Sequence, residues 1–388
     1  MAGAMITMHG YLSVFIAVVD DERVFQEQQS MGGKVLRCDS WTAEIHADVL
    51  AHDGKVFLYG DLASVPFAKL KDCDCAVVHG FCRNVPAGVA ETHGRPEVIH
   101  NLGVFIRNFF LAGVFQKVQS AHRFGILTES TKTEPAHRTG VYLSSVREDG
   151  RFHLLRCSTN LDGPTEAFQM VDTIIVAGLN LEAGWIFTGA APLNHVLAQI
   201  YRNTPAGPDH QRQAKARIAA HSDKTKDMPA NAIMAFCTFY DRPPASEAEL
   251  THLRFRRKDD APDDGAPREW SIALHPDSVF FIPLQTNRTY THEIRPSKLN
   301  ASVLPTRMGY VVRCSRTEAI HCDGQTHILV PLKPPTTENL VMLRCQYMEE
   351  NCTSNIVDYG NVFFSMNSGD YKAPLGVTPD DSDEYDDD

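Results

Sequence analysis

From about residue 217 onward, apolar residues come in short runs separated by Gly, Pro, Asp and Asn. Runs at 217–222, 231–240, 251–257, 270–274, 278–284, 289–294, 307–314 and 326–331 predict about eight short strands. Close spacing of so many short strands suits a sandwich or a jelly-roll barrel. Residues 339–365 predict another strand or two. The first half of the chain reads differently. Strands are expected at 11–19, 34–38 and 55–60, with Gly32-Gly33 and Asp53-Gly54 as turns. Leu102, Phe105, Ile106, Phe109, Phe110, Val114, Phe115 and Val118 recur at helical spacing and predict a helix over 98–118. Residues 139–157 read as a hairpin about Glu148-Asp149-Gly150, 166–177 as a strand or short helix, and 203–211 as a loop.

Together these patterns predict an α+β protein without internal repeats. Its parts are an α/β N-terminal region over 1–180, a double-stranded β-helix (jelly-roll) core over 181–335 on which that region packs, a C-terminal extension over 336–370, and an acidic disordered tail over 371–388.

Composition narrows the class. The chain has 388 residues and is 43% hydrophobic and 22% charged, the balance of an ordinary globular protein. Its longest apolar run, 11–19, falls short of a bilayer span and lacks a basic leader, so no membrane partner is expected. The 10 cysteines are scattered along the chain, which predicts reduced thiols and an intracellular protein of the cytoplasm or nucleus. Asn-x-Ser/Thr sequons at Asn287, Asn300 and Asn351 are then chance matches. Seven of the last nine residues are acidic, so most of the net charge of −11 belongs to the tail. Oligomeric state has no sequence signal.

Four H-x-D pairs are candidates for chemistry: His46-Ala-Asp48, His221-Ser-Asp223, His275-Pro-Asp277 and His321-Cys-Asp323. On a strand, residues two apart point to one face. An imidazole and a carboxylate on one face supply two ligands of a 2-His-1-carboxylate iron site. His221-Ser-Asp223 has the best context. His292 follows an apolar strand and can supply the second imidazole. Arg307 and Arg313 lie six apart on a predicted strand and so share a face, where a buried guanidinium needs an anion. A bidentate carboxylate would suit it. Of the rival pairs, His275-Pro-Asp277 and His321-Cys-Asp323 read as turns. His46-Ala-Asp48 has His100 at a plausible distance but no paired arginines after it.

His221-Ser-Asp223, then His292, then Arg307-x5-Arg313 resembles the AlkB-like branch of the Fe(II)/2-oxoglutarate dioxygenases. Upstream, Gln199-Ile-Tyr201 is similar to that family's N-x-Y strand. The resemblance covers about residues 190–315. It implies that His221, Asp223 and His292 hold Fe(II) and are the catalytic centre. It also implies that Arg307, Arg313, Tyr201 and Gln199 contact 2-oxoglutarate, and that O2 is the oxidant. The implied activity is hydroxylation or oxidative dealkylation of a C–H bond. A modified nucleobase in DNA or RNA is the first substrate class, and a protein side chain or small metabolite the second. The chain departs from the family pattern at Gln199, where Asn is usual, and at Gly309 and Val311, where polar residues are common. The stretch from His221 to His292 is also longer than usual.

Other features bear on alternatives. Arg254, Arg256 and Lys258 share one face of a strand, a possible phosphate ridge, though basic residues also protect edge strands. Arg212, Lys215 and Arg217 add positive charge before the H-x-D pair. Cys73-x-Cys75-x3-His79-x2-Cys82 has zinc-compatible ligand types at a non-standard spacing, and buried thiols are the simpler reading. Two other functions fit the sequence: an iron oxygenase with a different cosubstrate, and a non-catalytic jelly-roll interaction protein.

Overall fold

The computed structural model describes residues 96–376 apart from 101, 129–134, 157–160, 188, 208–211 and 264, together with seven short strand segments before residue 77. Those segments fall at Ile6–Met8, Tyr11–Ser13, Val18–Val19, Lys34–Cys38, Trp41–Ile45, Val56–Phe57 and Cys75–Ala76. His46, Asp48 and the Cys73, His79 and Cys82 positions lie outside the described residues.

From residue 96 the elements are β1 (Pro96–Ile99), β2 (Gly103–Ile106), α1 (Val114–Ala121), β3 (Gly125–Thr128), β4 (Pro135–Ser144), β5 (Arg151–Leu154) and β6 (Glu166–Ala167). The chain continues through α2 (Met170–Ile186), β7 (His195–Tyr201), β8 (Ile218–His221), β9 (Ile233–Tyr240), β10 (His252–Arg257), β11 (Glu269–Ala273) and β12 (Ser278–Pro283). It ends with α3 (Leu284–Thr289), β13 (Tyr290–Arg295), β14 (Arg307–Arg313), β15 (Thr317–Cys322), β16 (Gln325–His327) and α4 (Thr337–Cys352).

Strands β7 to β14 pass back and forth between two sheets, with β10 and β11 forming a hairpin within the smaller one. The larger sheet runs β3-β4-β7-β14-β9-β12-β2-β1, with β6 pairing β4. The smaller runs β8-β13-β10-β11. The larger sheet thus draws strands from both sides of residue 181. Its inner face meets the smaller sheet through aromatic rings: Phe255 and Trp270 each lie against Phe280, with centroids 5.9 and 6.0 Å apart. Burying a side chain of this size contributes about 1.5–3 kcal/mol. The outer face is covered by α1 and α2. Tyr310 donates its hydroxyl to Asp172 of α2 at 2.9 Å, and Phe187 packs on Phe281. A buried His122 bridges the helices to β6, with Nδ1 2.9 Å from Glu166 and Nε2 2.7 Å from Asp172.

Three sequence expectations need correcting. The helix over 98–118 is two strands and one short helix. Leu102, Val104, Phe105 and Ile106 are all buried, and a strand buried on both faces carries no alternation to separate it from a helix. The hairpin over 139–157 is a corner instead. Its turn forms, with Gly150 N–H donating to Arg147 O at 2.8 Å, but β4 pairs β3 and β7 while β5 pairs β15. Residues 339–365 begin with helix α4, not a strand. Thr336 and Asn339 form a reciprocal capping box at its start, directly after Pro334-Pro335. The helix buries little, essentially Leu343, Tyr347 and Glu350, so its apolar pattern is weak.

Among the described residues, no helix is long and apolar enough to cross a membrane.

Candidate functional site

Strand β8 pairs β13 with an irregular register that sets His221 opposite His292. Their ring centroids are 4.4 Å apart. β8 ends at His221, so Asp223 lies just past the strand end. Its placement therefore does not come from the strand pleat. Asn287 of α3 does that work: the Asp223 N–H donates to Asn287 Oδ1 at 2.8 Å, and Asn287 Nδ2 donates to Asp223 O at 2.9 Å. This side chain mimics a ladder partner where the ladder has stopped. The outcome is a compact cluster. One ligand atom each from His221, Asp223 and His292 lies within 4.8 Å of the others, the one such cluster of these residue types among the described residues.

The donor set fits a divalent metal ion. His221 Nδ1 lies 2.9 Å from the Ala219 carbonyl, which fixes that nitrogen as donor and leaves Nε2, 3.6 Å from Asp223 Oδ1, with its lone pair. His292 Nδ1 is buried without a hydrogen-bond partner, and Asp223 Oδ2 has only the Arg313 ion pair. Burial, with the neighbouring His221 next in weight, pushes the His292 imidazole down to about 3, so it is neutral and able to ligate. Burial alone would raise the Asp223 carboxyl. The Arg313 guanidinium, whose Nε is 3.1 Å from Asp223 Oδ2, and the two histidines together outweigh it, and the carboxyl falls well below the usual range.

The arginines lie as their even spacing requires. In β14, Arg313 stands opposite His195 and Arg307 opposite Tyr201, with Gly309 opposite Gln199 between them. Both arginines are buried. The Arg307 guanidinium stacks on the Tyr201 ring, with its carbon 4.0 Å from the centroid. Its Nε and one terminal nitrogen have no hydrogen-bond partner, although Arg307 is only 4% exposed. Tyr201 donates its hydroxyl to Gln199 Oε1 at 2.9 Å. A small cleft opens beside Arg307, lined also by Tyr201, Asn203, Glu249, Thr251 and Ile294. Glu249 is itself paired with Arg242 at 3.5 Å. The glycine at 309 has a steric reason: a Cβ there would sit 3.0 Å from an Arg307 terminal nitrogen and 3.2 Å from the Tyr201 ring.

The other sequence candidates fall elsewhere. Asp277 and Asp323 both sit in turns with positive φ (53° and 50°), as their Pro and Gly neighbours suggest. His100 also has a positive φ and its ring lies against Trp270. The basic strand is neutralised from within. Arg254 pairs with Glu293 at 2.9 Å and with Glu269, Arg256 pairs with Glu269, and Arg257 pairs with Asp263 at 2.8 Å. Lys258 Nζ donates to the carbonyls of Glu350 and Thr353 at 2.7 and 2.9 Å. Lys215 likewise bonds carbonyls, those of Ser297 and Leu299.

Sequence reasoning missed Asn287 and the contribution of α4. It left Lys224, Lys226 and Asp227 without a role. Lys224 Nζ donates to Asn351 Oδ1 at 2.7 Å, and the Thr225 N–H donates to Glu350 at 3.1 Å, both on α4. Lys226 and Arg156 both pair with Asp227 in a buried cluster. A lone polar residue with backbone partners far away in sequence carries no motif for this role; the sequons at Asn287 and Asn351 point to a different chemistry.

No protein-family model matches the sequence, and no curated protein matches it. Solved structures similar to this chain include OsALKBH1, with 11% identity and a TM-score of 0.37 over 57% of this chain and 100% of that one. The epimerase SnoN, solved with Fe3+, alpha-ketoglutarate and nogalamycin RO, matches with 12% identity and a TM-score of 0.35 over 57% of this chain and 82% of that one. A Pseudomonas putida prolyl-4-hydroxylase matches with 12% identity and a TM-score of 0.31 over 58% of this chain and 95% of that one.

Proposed function

We propose that this chain is an Fe(II)- and 2-oxoglutarate-dependent dioxygenase that hydroxylates or oxidatively dealkylates a C–H bond. The observation that carries the reading is Arg307. A guanidinium this buried, with unsatisfied N–H groups and a tyrosine beneath it, is costly unless an anion completes it. It lies on the sheet face that also presents Arg313 to Asp223. The repeated passage of the chain between the two facing sheets, broken only by the β10–β11 hairpin, supports a double-stranded β-helix as the frame.

In this reading His221, Asp223 and His292 hold the iron, with coordination positions left for 2-oxoglutarate and O2. Bound iron supplies the oxidising chemistry, coupling decarboxylation of 2-oxoglutarate to succinate with oxidation of the substrate. The chain's own residues do the positioning. Arg307 pairs with the distal carboxylate of 2-oxoglutarate, and Tyr201 holds the guanidinium plane. Gln199 fixes the Tyr201 hydroxyl. Arg313 keeps Asp223 ionised and oriented.

A modified nucleobase in DNA or RNA is the first substrate class to assay, with a protein side chain or small metabolite second. The cations of 252–258 are engaged within the molecule, so a nucleic acid would be held by other groups. The test is succinate release from 2-oxoglutarate with Fe(II) across DNA, RNA, peptide and metabolite pools. One pool should stimulate release, and His221→Ala and Asp223→Ala should abolish it. Full activity in both variants would sink the assignment. Turnover with 2-oxoglutarate omitted would point to a different cosubstrate. No binding of Fe(II) or 2-oxoglutarate in anaerobic titration would leave a non-catalytic jelly-roll interaction protein.

A further inference from the structure

The segment that carries the carboxylate ligand does not stand on the two sheets alone. Its next support is the last turn of α4, about 130 residues further along the chain. The Ser222 N–H donates to Asn351 Oδ1 at 2.9 Å, and Lys224 Nζ donates to the same oxygen at 2.7 Å. Lys224 Nζ also donates to the Tyr347 carbonyl at 3.1 Å. One residue on, Thr225 gives both its N–H and its hydroxyl to the buried Glu350 carboxylate. Glu350 is held in turn by the Tyr359 hydroxyl at 2.5 Å.

The same helical turn also grips the smaller sheet. Lys258, at the end of β10, donates to the Glu350 and Thr353 carbonyls, which the helix end leaves without intrahelical partners. β10 pairs β13 with Phe255 opposite His292. One turn of α4 therefore ties the loop bearing Asp223 to the sheet bearing His292.

We infer that Asn351, on the last turn of α4, is a positioning residue of the metal site: it sets the Ser222–Lys224 backbone and so the aim of the Asp223 carboxylate. The inference rests on the metal-binding reading above. Ser222 is wholly buried, so its N–H has no water to fall back on when Asn351 is lost. The Asp223 carboxylate is one residue away and moves with that backbone. Outer supports of this kind are worth about 10–100-fold in metal affinity. Asn351 also heads an Asn-Cys-Thr sequon, and its engagement gives the asparagine a structural reason to be there.

The experiment is anaerobic Co(II) titration of the full chain, followed by visible absorption, with thermal melting on the same samples. Asn351→Leu removes the acceptor at similar size and should weaken Co(II) binding about 10–100-fold while the chain still melts cooperatively. Asn351→Asp keeps an acceptor oxygen for both donors and should bind within a few-fold of wild type. If Asn351→Leu does not fold, Asn351→Ser gives the same comparison with a smaller perturbation. Unchanged Co(II) affinity in a folded Leu or Ser variant, beside a wild type that binds, overturns the inference and leaves the metal reading standing. A wild type that binds no Co(II) removes both.

Discussion

The Arg307 guanidinium carbon lies over the Tyr201 ring, 4.0 Å from its centroid, and the residue between the arginines that would crowd this contact is a glycine. This relationship gives Gly309 a definite job. A valine there places its Cβ 3.0 Å from an Arg307 terminal nitrogen and adds two methyl groups beyond it. Arg307 must then tilt off the ring. We expect Gly309→Val to raise the KM for 2-oxoglutarate by about 10-fold or more, because a misaimed bidentate pair loses about 1.5 kcal/mol or more. Co(II) affinity should stay at the wild-type value, since no metal ligand is touched. Steady-state succinate release against 2-oxoglutarate concentration reads the first effect. An unchanged KM would remove the proposed cosubstrate role from Arg307 and Tyr201.

The sequence pattern anticipated the strands between 217 and 314 within a residue or two at most ends, because each is short, apolar and bounded by turn residues. It also anticipated that Arg307 and Arg313 share a face, since parity on a strand is a matter of counting. His221 and His292 could be picked out by order along the chain, and the fold places them opposite each other. What parity did not supply is Asp223. The pleat ends at His221, and the carboxylate is aimed by Asn287, a residue whose partners are backbone groups. Helix α4 was hidden for a different reason: it buries only Leu343, Tyr347 and Glu350, so it lacks the broad apolar stripe that announces a helix.

Asn287 itself should be sensitive to truncation. It is fully buried, and Asn287→Ala leaves both the N–H and the C=O of Asp223 without partners. Two orphaned buried groups cost about 2–4 kcal/mol. Urea unfolding should show a loss of that size with an unchanged slope. A loss below about 0.5 kcal/mol would mean that water replaces the amide.

The basic strand gives a prediction about partners. Arg254 and Arg256 are paired with Glu269 and Glu293 along the ladder. Charges satisfied in this way release few counterions to a phosphate backbone. The double variant Arg254→Gln with Arg256→Gln should bind a fluorescent single-stranded oligonucleotide as the wild type does, with the same salt dependence. A flatter salt slope in the variant would return these residues to the substrate path.

His122 makes stability depend on pH on the alkaline side. Burial would lower the imidazole, but its hydrogen bonds to Asp172 and then Glu166 win, and it rises from 6.5 to about 9. A group raised in the folded state stabilises it fully below its unfolded value and loses that contribution as pH rises through the folded value. The contribution is about 3 kcal/mol, present below pH 6.5 and lost by about pH 9. His122→Gln should be less stable than wild type at pH 6 and nearly equal to it above pH 10. Parallel destabilisation at both pH values would mean that the ring acts by packing alone.

Asp227 closes a cluster whose logic is charge pairing in the absence of solvent. It is 3% exposed and accepts from Arg156 at 2.6 Å, from Lys226 at 2.7 Å and from the Thr317 hydroxyl at 2.8 Å. Arg156 spends further donors on the Val362 and Phe364 carbonyls, which fastens the C-terminal extension to the same point. Removing the one carboxylate that faces both cations should therefore be worse than removing either cation. Asp227→Asn keeps the shape but leaves Arg156 and Lys226 buried beside each other without the carboxylate that pairs with both. The expected cost is about 3–5 kcal/mol, the size found when one partner of a buried pair is deleted. Lys226→Met, which leaves the Arg156–Asp227 pair intact and replaces the ammonium by apolar atoms of similar volume, should cost far less. If the two variants unfold at the same urea concentration, the cluster is held by packing and not by charge.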